Sequence, residues 1–252
     1  MMWRRFIILL FIINITTLLF AQRPGVCMKG MNDRQKDQFV GAVKIVKTVT
    51  YEADFSRRVA ENGEFISSSV RTYFENGEID RERINDEQGQ LLSLTIYQYR
   101  DGHKYVSTTY DANDTRTLQT LYDYNEDGVC TFMRLTDAIA VTISTNNIKH
   151  GENWVEMSER FRDGETVNER FIYDKKGHLI EHNKFGSADQ TINTTYVIGK
   201  KGVATKAKIK QNGTKQTITY EYEFDTQGNW TKRITYAGGI AKEIATREIS
   251  YY

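Results

Sequence analysis

The chain has one proline and two cysteines in 252 residues. With Pro24 as the only proline and no Gly/Ser-rich or single-charge block after it, nothing marks a linker, so residues 39–252 read as one domain. Cys27 and Cys130 lack a Cys-x-x-Cys partner or a histidine close in sequence, which removes the usual settings for redox or nucleophilic thiols. In an oxidising compartment the two could pair; equally, Cys130 fits a small buried residue just after a turn and Cys27 a tail thiol. An excess of one charge is also missing. With 34 basic and 33 acidic residues interspersed, there is no electrostatic case for nucleic acid or an anionic membrane. Catalytic signatures are absent as well: there is no Gly-x-Ser-x-Gly elbow, no phosphate-binding glycine loop and no His-Glu-x-x-His helix.

A long apolar run occurs only at the amino terminus. Arg4-Arg5 precede residues 6–20, a mostly apolar stretch broken by Asn14, Thr16 and Thr17 and followed by Ala21. Its length, about 15 residues, falls short of the roughly 20 that a membrane-spanning helix needs, so residues 1–21 read as a secretory signal peptide. Pro24-Gly25-Val26 before Cys27 is the wrong context for a lipid anchor. The expected product is exported, to the periplasm, cell surface or medium, with no transmembrane segment after cleavage. Residues 22–38 form a leader that could hold a short helix at 33–39.

What the chain has in abundance is turn dipeptides. Asn62-Gly63, Asn76-Gly77, Gln88-Gly89, Asp101-Gly102, Asn113-Asp114 and Asp127-Gly128 recur every 12 to 14 residues. After an irregular stretch at Asn146-Asn147 come Asp163-Gly164, Lys176-Gly177, Ala188-Asp189, Lys201-Gly202, Asn212-Gly213, Gln227-Gly228 and Gly238-Gly239, spaced by 11 to 15. Glycine, asparagine and aspartate tolerate the positive φ that tight hairpins demand. The intervening segments are rich in Tyr, Thr, Val, Ile and Phe with period-two alternation. In 219–224, Tyr220, Tyr222 and Phe224 would face the core while Glu221 and Glu223 face water. The pattern predicts an all-β antiparallel hairpin meander of about 14 or 15 strands. An open twisted sheet rarely exceeds about 10 strands, so this one should be strongly curled or folded back on itself.

At a longer period, an aromatic pair precedes an acidic or amide residue with glycine three positions on: Tyr222-Glu223-Phe224-Asp225 with Gly228, Phe171-Ile172-Tyr173-Asp174 with Gly177, and Tyr122-Asp123-Tyr124-Asn125 with Gly128. The side chain can accept a bond from the turn backbone while the glycine takes the left-handed conformation. These copies, with Gly228-Asn229-Trp230-Thr231-Lys232-Arg233 and the earlier Gly41-Ala42-Val43-Lys44-Ile45-Val46, resemble the YD repeat (RHS-like) family, in particular its small exported members from Bacteroidetes. The resemblance covers most of the chain after the leader, but 146–150 and the region around Ala188 depart from it. It implies a hairpin array with binding or cell-surface roles and no catalytic residues. The chain is short for the closed shell that large members wrap around a toxin.

Candidate site residues are few. Trp154 and Trp230 could supply an aromatic platform for sugars or peptides, although aromatics on strands more often pack the sheet. Asp123, Asn125 and Asp127 reproduce the first half of a calcium loop, but Arg134 stands where the bidentate glutamate belongs, so the string reads as a repeat turn and no metal or other cofactor is expected. His178 and His182, roughly 13 Å apart on a strand at about 3.3 Å per residue, read as surface histidines. The favoured function is a non-catalytic envelope or surface module that binds a glycan, peptide or envelope protein through an exposed sheet face or edge. The alternative is a structural spacer that assembles through unpaired edge strands. An enzyme would require a pocket that sequence does not reveal, and charged residues on both faces of many strands disfavour an outer-membrane barrel.

Overall fold

The computed structural model describes residues 31–54, 59–186 and 191–252. The expected signal peptide and Cys27 lie outside the described residues. A short helix, α1 (Asp33–Lys36), is closed by a capping box in which Gln35 N–H donates to Asn32 Oδ1 at 3.0 Å and Asn32 N–H donates to Gln35 Oε1 at 2.9 Å. Sixteen strands follow. The first eight are β1 (Val43–Asp54), β2 (Glu61–Tyr73), β3 (Ile79–Asn85), β4 (Leu91–Arg100), β5 (His103–Asp111), β6 (Arg116–Tyr124), β7 (Cys130–Asp137) and β8 (Thr142–His150). The second eight are β9 (Trp154–Phe161), β10 (Thr166–Tyr173), β11 (Leu179–Phe185), β12 (Thr191–Ile198), β13 (Ala204–Gln211), β14 (Thr214–Phe224), β15 (Trp230–Ala237) and β16 (Ile240–Tyr251).

Each strand pairs antiparallel with the next, and β1 pairs with β16 from Val43↔Tyr251 to Glu52↔Glu243, closing a barrel. The all-β antiparallel meander is as expected; the strand number and the open curl are corrected to a closed barrel of sixteen. One dipeptide taken as a turn causes the miscount. Asn146-Asn147 lies within β8, paired with Met133 and Phe132 on one side and with Glu159 and Ser158 on the other. The turns around it, 138–141 and 151–153, carry no such pair; in the first, Ala140 takes the positive φ (67°) that glycine takes elsewhere. Asn62-Gly63 lies within β2, where a Cβ on Gly63 would sit 3.1 Å from the Glu52 carbonyl oxygen, so this glycine serves a close approach to β1.

The repeated turns work as their sequence suggests. Asp225 accepts from the backbone N–H of Gln227 (3.0 Å) and Asn229 (2.9 Å), while Gly228, at φ 94°, donates its N–H to the Asp225 carbonyl at 3.2 Å. Asp174 does the same for Lys176 and His178, Asn125 caps Val129, and Asp137 caps Ile139 and Val141. The carboxylate or amide satisfies turn donors that would otherwise face only solvent, and that fixes the hairpin register.

Alternation along the paired strands gives the barrel an inside and an outside. Arg71, Glu82 and Thr95 lie on one continuous inward row, and Lys47, Val70, Arg83 and Leu94 on an outward one. A round barrel of sixteen strands encloses a channel. Here the interior is filled along β7 to β15, where inward Thr194 and Thr235 are 0% exposed and Cys130, Phe171, Tyr173, Tyr196, Ala207 and Ile218 form the main apolar cluster. Because no Cβ contact lies within 4 Å of Gly228, Gly228→Ala meets backbone strain alone. It is expected to lower stability by about 1–2 kcal/mol in urea unfolding, and Gly228→Asn by less; equal stability of all three proteins would contradict the left-handed turn.

Candidate functional site

The interior changes character between β16 and β6. Inward positions there carry small hydroxyl side chains: Thr48 and Thr50 on β1, Ser67 and Ser69 on β2, Ser93 and Thr95 on β4, Ser107 and Thr109 on β5, and Thr120 on β6. Most of them are half-buried, in contrast to the sealed side opposite. Thr95 and Thr109 share a hydrogen bond of 2.9 Å, and Ser107 and the Tyr122 hydroxyl one of 3.1 Å. Small side chains leave volume that large ones on the other side take up. Arg71, two residues from the end of β2, stands inward, and 28% of its side-chain surface is accessible.

Residues 32–42 cross the end of the barrel at which β1 begins and β16 ends. Asp33 meets Lys104 of β5 (3.1 Å), the Ile79 N–H (3.1 Å) and the Tyr99 hydroxyl (3.2 Å). Asp37 accepts from Arg71 (3.3 Å) and from the Tyr73 hydroxyl (2.5 Å). Gln38 sits by a small cavity with Leu179, Tyr196, Ile198 and Ala204, on the opposite wall. Phe39 packs edge-on against Tyr73 and under the Arg247 guanidinium. Contacts with β2, β5 and the β11–β13 wall together require the segment to span the opening as a plug. The β14–β15 turn pins it: Asn229 accepts the Val40 N–H and donates to the Val40 carbonyl, each at 2.8 Å.

A charged and aromatic group lies beneath this plug. Arg71 Nε donates to Glu82 at 2.7 Å, and Arg233 Nη2 donates to Glu243 at 3.1 Å. Burial raises the Glu243 carboxyl above its ordinary range, and Arg233 only partly opposes that. The Trp230 ring contacts two guanidiniums, Arg247 at 3.5 Å and Arg233 at 5.1 Å from its centre. The motif Gly228-Asn229-Trp230-Thr231-Lys232-Arg233 thus divides its work among a left-handed turn, a clasp on the plug and inward groups at Trp230 and Arg233.

The sequence-derived candidates separate. Trp230 is inward and buried. Trp154 is on the outer face of β9, pressed on Gly151, where a Cβ would come 2.1 Å from its Nε1, and stacked with Arg170 at 4.8 Å. The two tryptophans therefore form no common platform. Asn125 Oδ1 is committed to the Val129 N–H, Asp123 faces outward opposite Phe132, and Asp127 is exposed in the turn. Among the described residues, no cluster of three His, Cys, Asp or Glu side chains has metal-binding geometry. His182 corrects the surface assignment: it is 6% exposed, stacked on Phe171 at 4.4 Å and bonded to Glu169 at 3.0 Å. His178 pairs with Asp174 at 2.8 Å. Sequence reasoning missed Asp33, Asp37, Arg71, Lys104 and Arg247; strict alternation from Tyr73 would have turned Arg71 inward, but nothing local marks the partners.

No protein-family model matches the chain, and no curated protein matches its sequence. Solved structures do share its fold. A porin-like protein from Bacteroides uniformis superposes with a TM-score of 0.53 at 13% identity, over 84% of this chain and 98% of that one. A porin-like protein from Bacteroides vulgatus gives 0.43 at 11% identity over 85% and 99%. TcdB2-TccC3 without its hypervariable C-terminal region gives 0.29 at 13% identity over 81% and 15%. At these identities the first likeness is one of fold, and the other two are too distant to argue from. The YD-repeat resemblance rests on the turn motifs.

The plug carries a pH signature. Burial would raise the Asp33 carboxyl, but the Lys104 and Lys36 ammoniums more than reverse this and hold it below the ordinary carboxylate range. Its neighbour Glu78 goes the other way, pushed up to about 7 by burial and by the Asp33 charge. A carboxyl whose folded pKa is raised stabilises below its unfolded value and loses that contribution as pH rises through the folded one. Stability should therefore fall between about pH 4.5 and 7, and Glu78→Gln should flatten that fall in thermal unfolding; identical slopes would contradict it. Lys104→Ala leaves Asp33 buried without its main counter-ion and is expected to cost about 3–5 kcal/mol, with Asp33→Asn/Lys104→Ala costing less than the two single changes summed.

Proposed function

We propose that the chain is a non-catalytic binding protein of the cell envelope, and that its barrel takes a glycan or another small polar ligand into the hydroxyl-lined side of the interior. The observation that carries this is the asymmetry of the barrel: one side is sealed by apolar and aromatic side chains, while the other keeps accessible hydroxyls, guanidiniums and tyrosines. Such a space offers what sugar recognition needs, namely hydrogen-bonding groups on fixed strands beside aromatic faces. The inward carboxylates Asp33, Asp37, Glu82, Glu169 and Glu243 each hold a cation or donor, which favours binding over acid–base chemistry.

The outer face supports an aqueous setting. Arg134, Arg170, Lys208 and Glu221 stand exposed at or near mid-strand on β7, β10, β13 and β14, and Lys232 of β15 pairs with exposed Glu223 near the end of β14 at 3.2 Å. Each Arg or Lys facing the centre of a bilayer would cost roughly 2–4 kcal/mol. Assembly through edge strands loses its basis, because β1 and β16 occupy each other's edges.

A glycan and peptidoglycan-fragment array with residues 22–252 tests the proposal. Saturable binding is expected, weakened at least tenfold by Trp230→Phe and unchanged by Trp154→Ala. Loss on Trp154→Ala alone would move the site to the outer wall, and no binding at all would overturn the proposal.

A further inference from the structure

Among the described residues, Arg247 is an interior cation without a protein counter-ion. Arg71 holds Asp37 and Glu82, Arg233 holds Glu243, Lys104 holds Asp33, and Lys184 holds Glu169. Arg247 has no hydrogen bond or ion pair among the described residues, and its Nε is buried without a partner. The carboxylate that acts on it, Asp37, is already occupied by Arg71 and Tyr73. Burial and the nearby Arg233 bring its pKa down to about 9, so the group is still cationic at neutral pH. An unpaired interior charge is costly, and an anionic acceptor would complete it.

The surroundings indicate what completes it. The guanidinium carbon lies 3.5 Å from the Trp230 ring centre and 5.0 Å from that of Phe39. The aromatic contacts accept none of its N–H bonds, and a bidentate acceptor is the group that a guanidinium matches. Directly across from Arg247 in the sheet is Thr48, and across from Thr48 is Ser69, so a guanidinium and two hydroxyls stand side by side on three strands. Inward neighbours of this kind are about 5 Å apart, a span that one sugar ring bridges.

We propose that this row is the anchor of a small anionic sugar: Arg247 takes the carboxylate or phosphate group, Thr48 and Ser69 meet ring hydroxyls, and Trp230 keeps the guanidinium plane fixed. This rests on the proposed function above and names the ligand class for that site.

The test is calorimetric titration of residues 22–252 with glucuronate, glucose 6-phosphate and glucose, repeated on Arg247→Met. Either anionic sugar should bind at least tenfold tighter than glucose, and Arg247→Met should erase that preference. The melting temperature of ligand-free Arg247→Met should equal or exceed that of the parent, because methionine keeps an apolar contact with the Trp230 and Phe39 rings while removing a buried charge that has no counter-ion. The assignment is overturned by glucose binding as tightly as the acids, by an anion preference that survives Arg247→Met, or by a variant that melts well below the parent. Binding of neutral sugars that depends on Trp230 but is indifferent to Arg247 would overturn the anionic anchor and leave the binding barrel standing; no binding by any sugar on the array or in the titration would overturn both.

Discussion

The pairing of β1 with β16 is the contact on which the rest depends. Fifteen hairpin connections would build the same run of strands without it, but only this junction turns a two-faced sheet into a wall with an inside. It is also the most distant contact in sequence, with Val43 opposite Tyr251, and so carries the largest loop-closure cost. The chain reinforces it at both termini of the sheet. The Tyr252 N–H donates to the Ala42 carbonyl at 2.9 Å, the Tyr252 hydroxyl reaches the Tyr73 carbonyl, and the Tyr251 hydroxyl bonds Asp225 and Asn229. Closure also removes the exposed edges that make an open sheet prone to aggregation.

Once an inside exists, side-chain volume decides its shape. Phe171, Tyr173, Tyr196 and Leu179 fill the barrel along β10 to β12, and the charged groups there survive only in pairs such as His182 with Glu169. Serine and threonine at the equivalent positions from β1 to β6 are too small to fill their side. The plug then closes one end over this space through the buried Asp33–Lys104 pair and the Asn229 clasp. The proposed ligand space is thereby walled by paired strands, and a rigid wall lowers the ordering cost of recognition.

Most of the wall was legible in the sequence, because its rules are local. The Asp-x-x-Gly turns, the period-two alternation of Tyr220, Glu221, Tyr222 and Glu223, and the short helix ahead of the sheet all follow from nearest-neighbour chemistry. Local rules also misled where a turn-like pair sat inside a strand. Asn146-Asn147 is held extended by two neighbouring strands, a tertiary override of propensity. Closure was beyond local rules, since nothing near Val43 refers to Tyr251. The site was legible only at Trp230. Arg247 looks like any strand arginine until the barrel places it against Trp230 and leaves it without a carboxylate.

The direct test of a closed wall with small side chains on one inner side is cysteine accessibility on neighbouring strands. In a Cys27→Ser/Cys130→Ser background, Thr48→Cys places a thiol inside and Val70→Cys places one outside. The structure predicts that a small methanethiosulfonate labels both thiols, whereas a 5-kDa (about 5,000-dalton) maleimide polymer labels only Val70→Cys, a chain of that size being far too bulky for a space the width of a few side chains. Equal labelling of both thiols by the large reagent would mean that Thr48 faces open solvent and that the barrel is not closed.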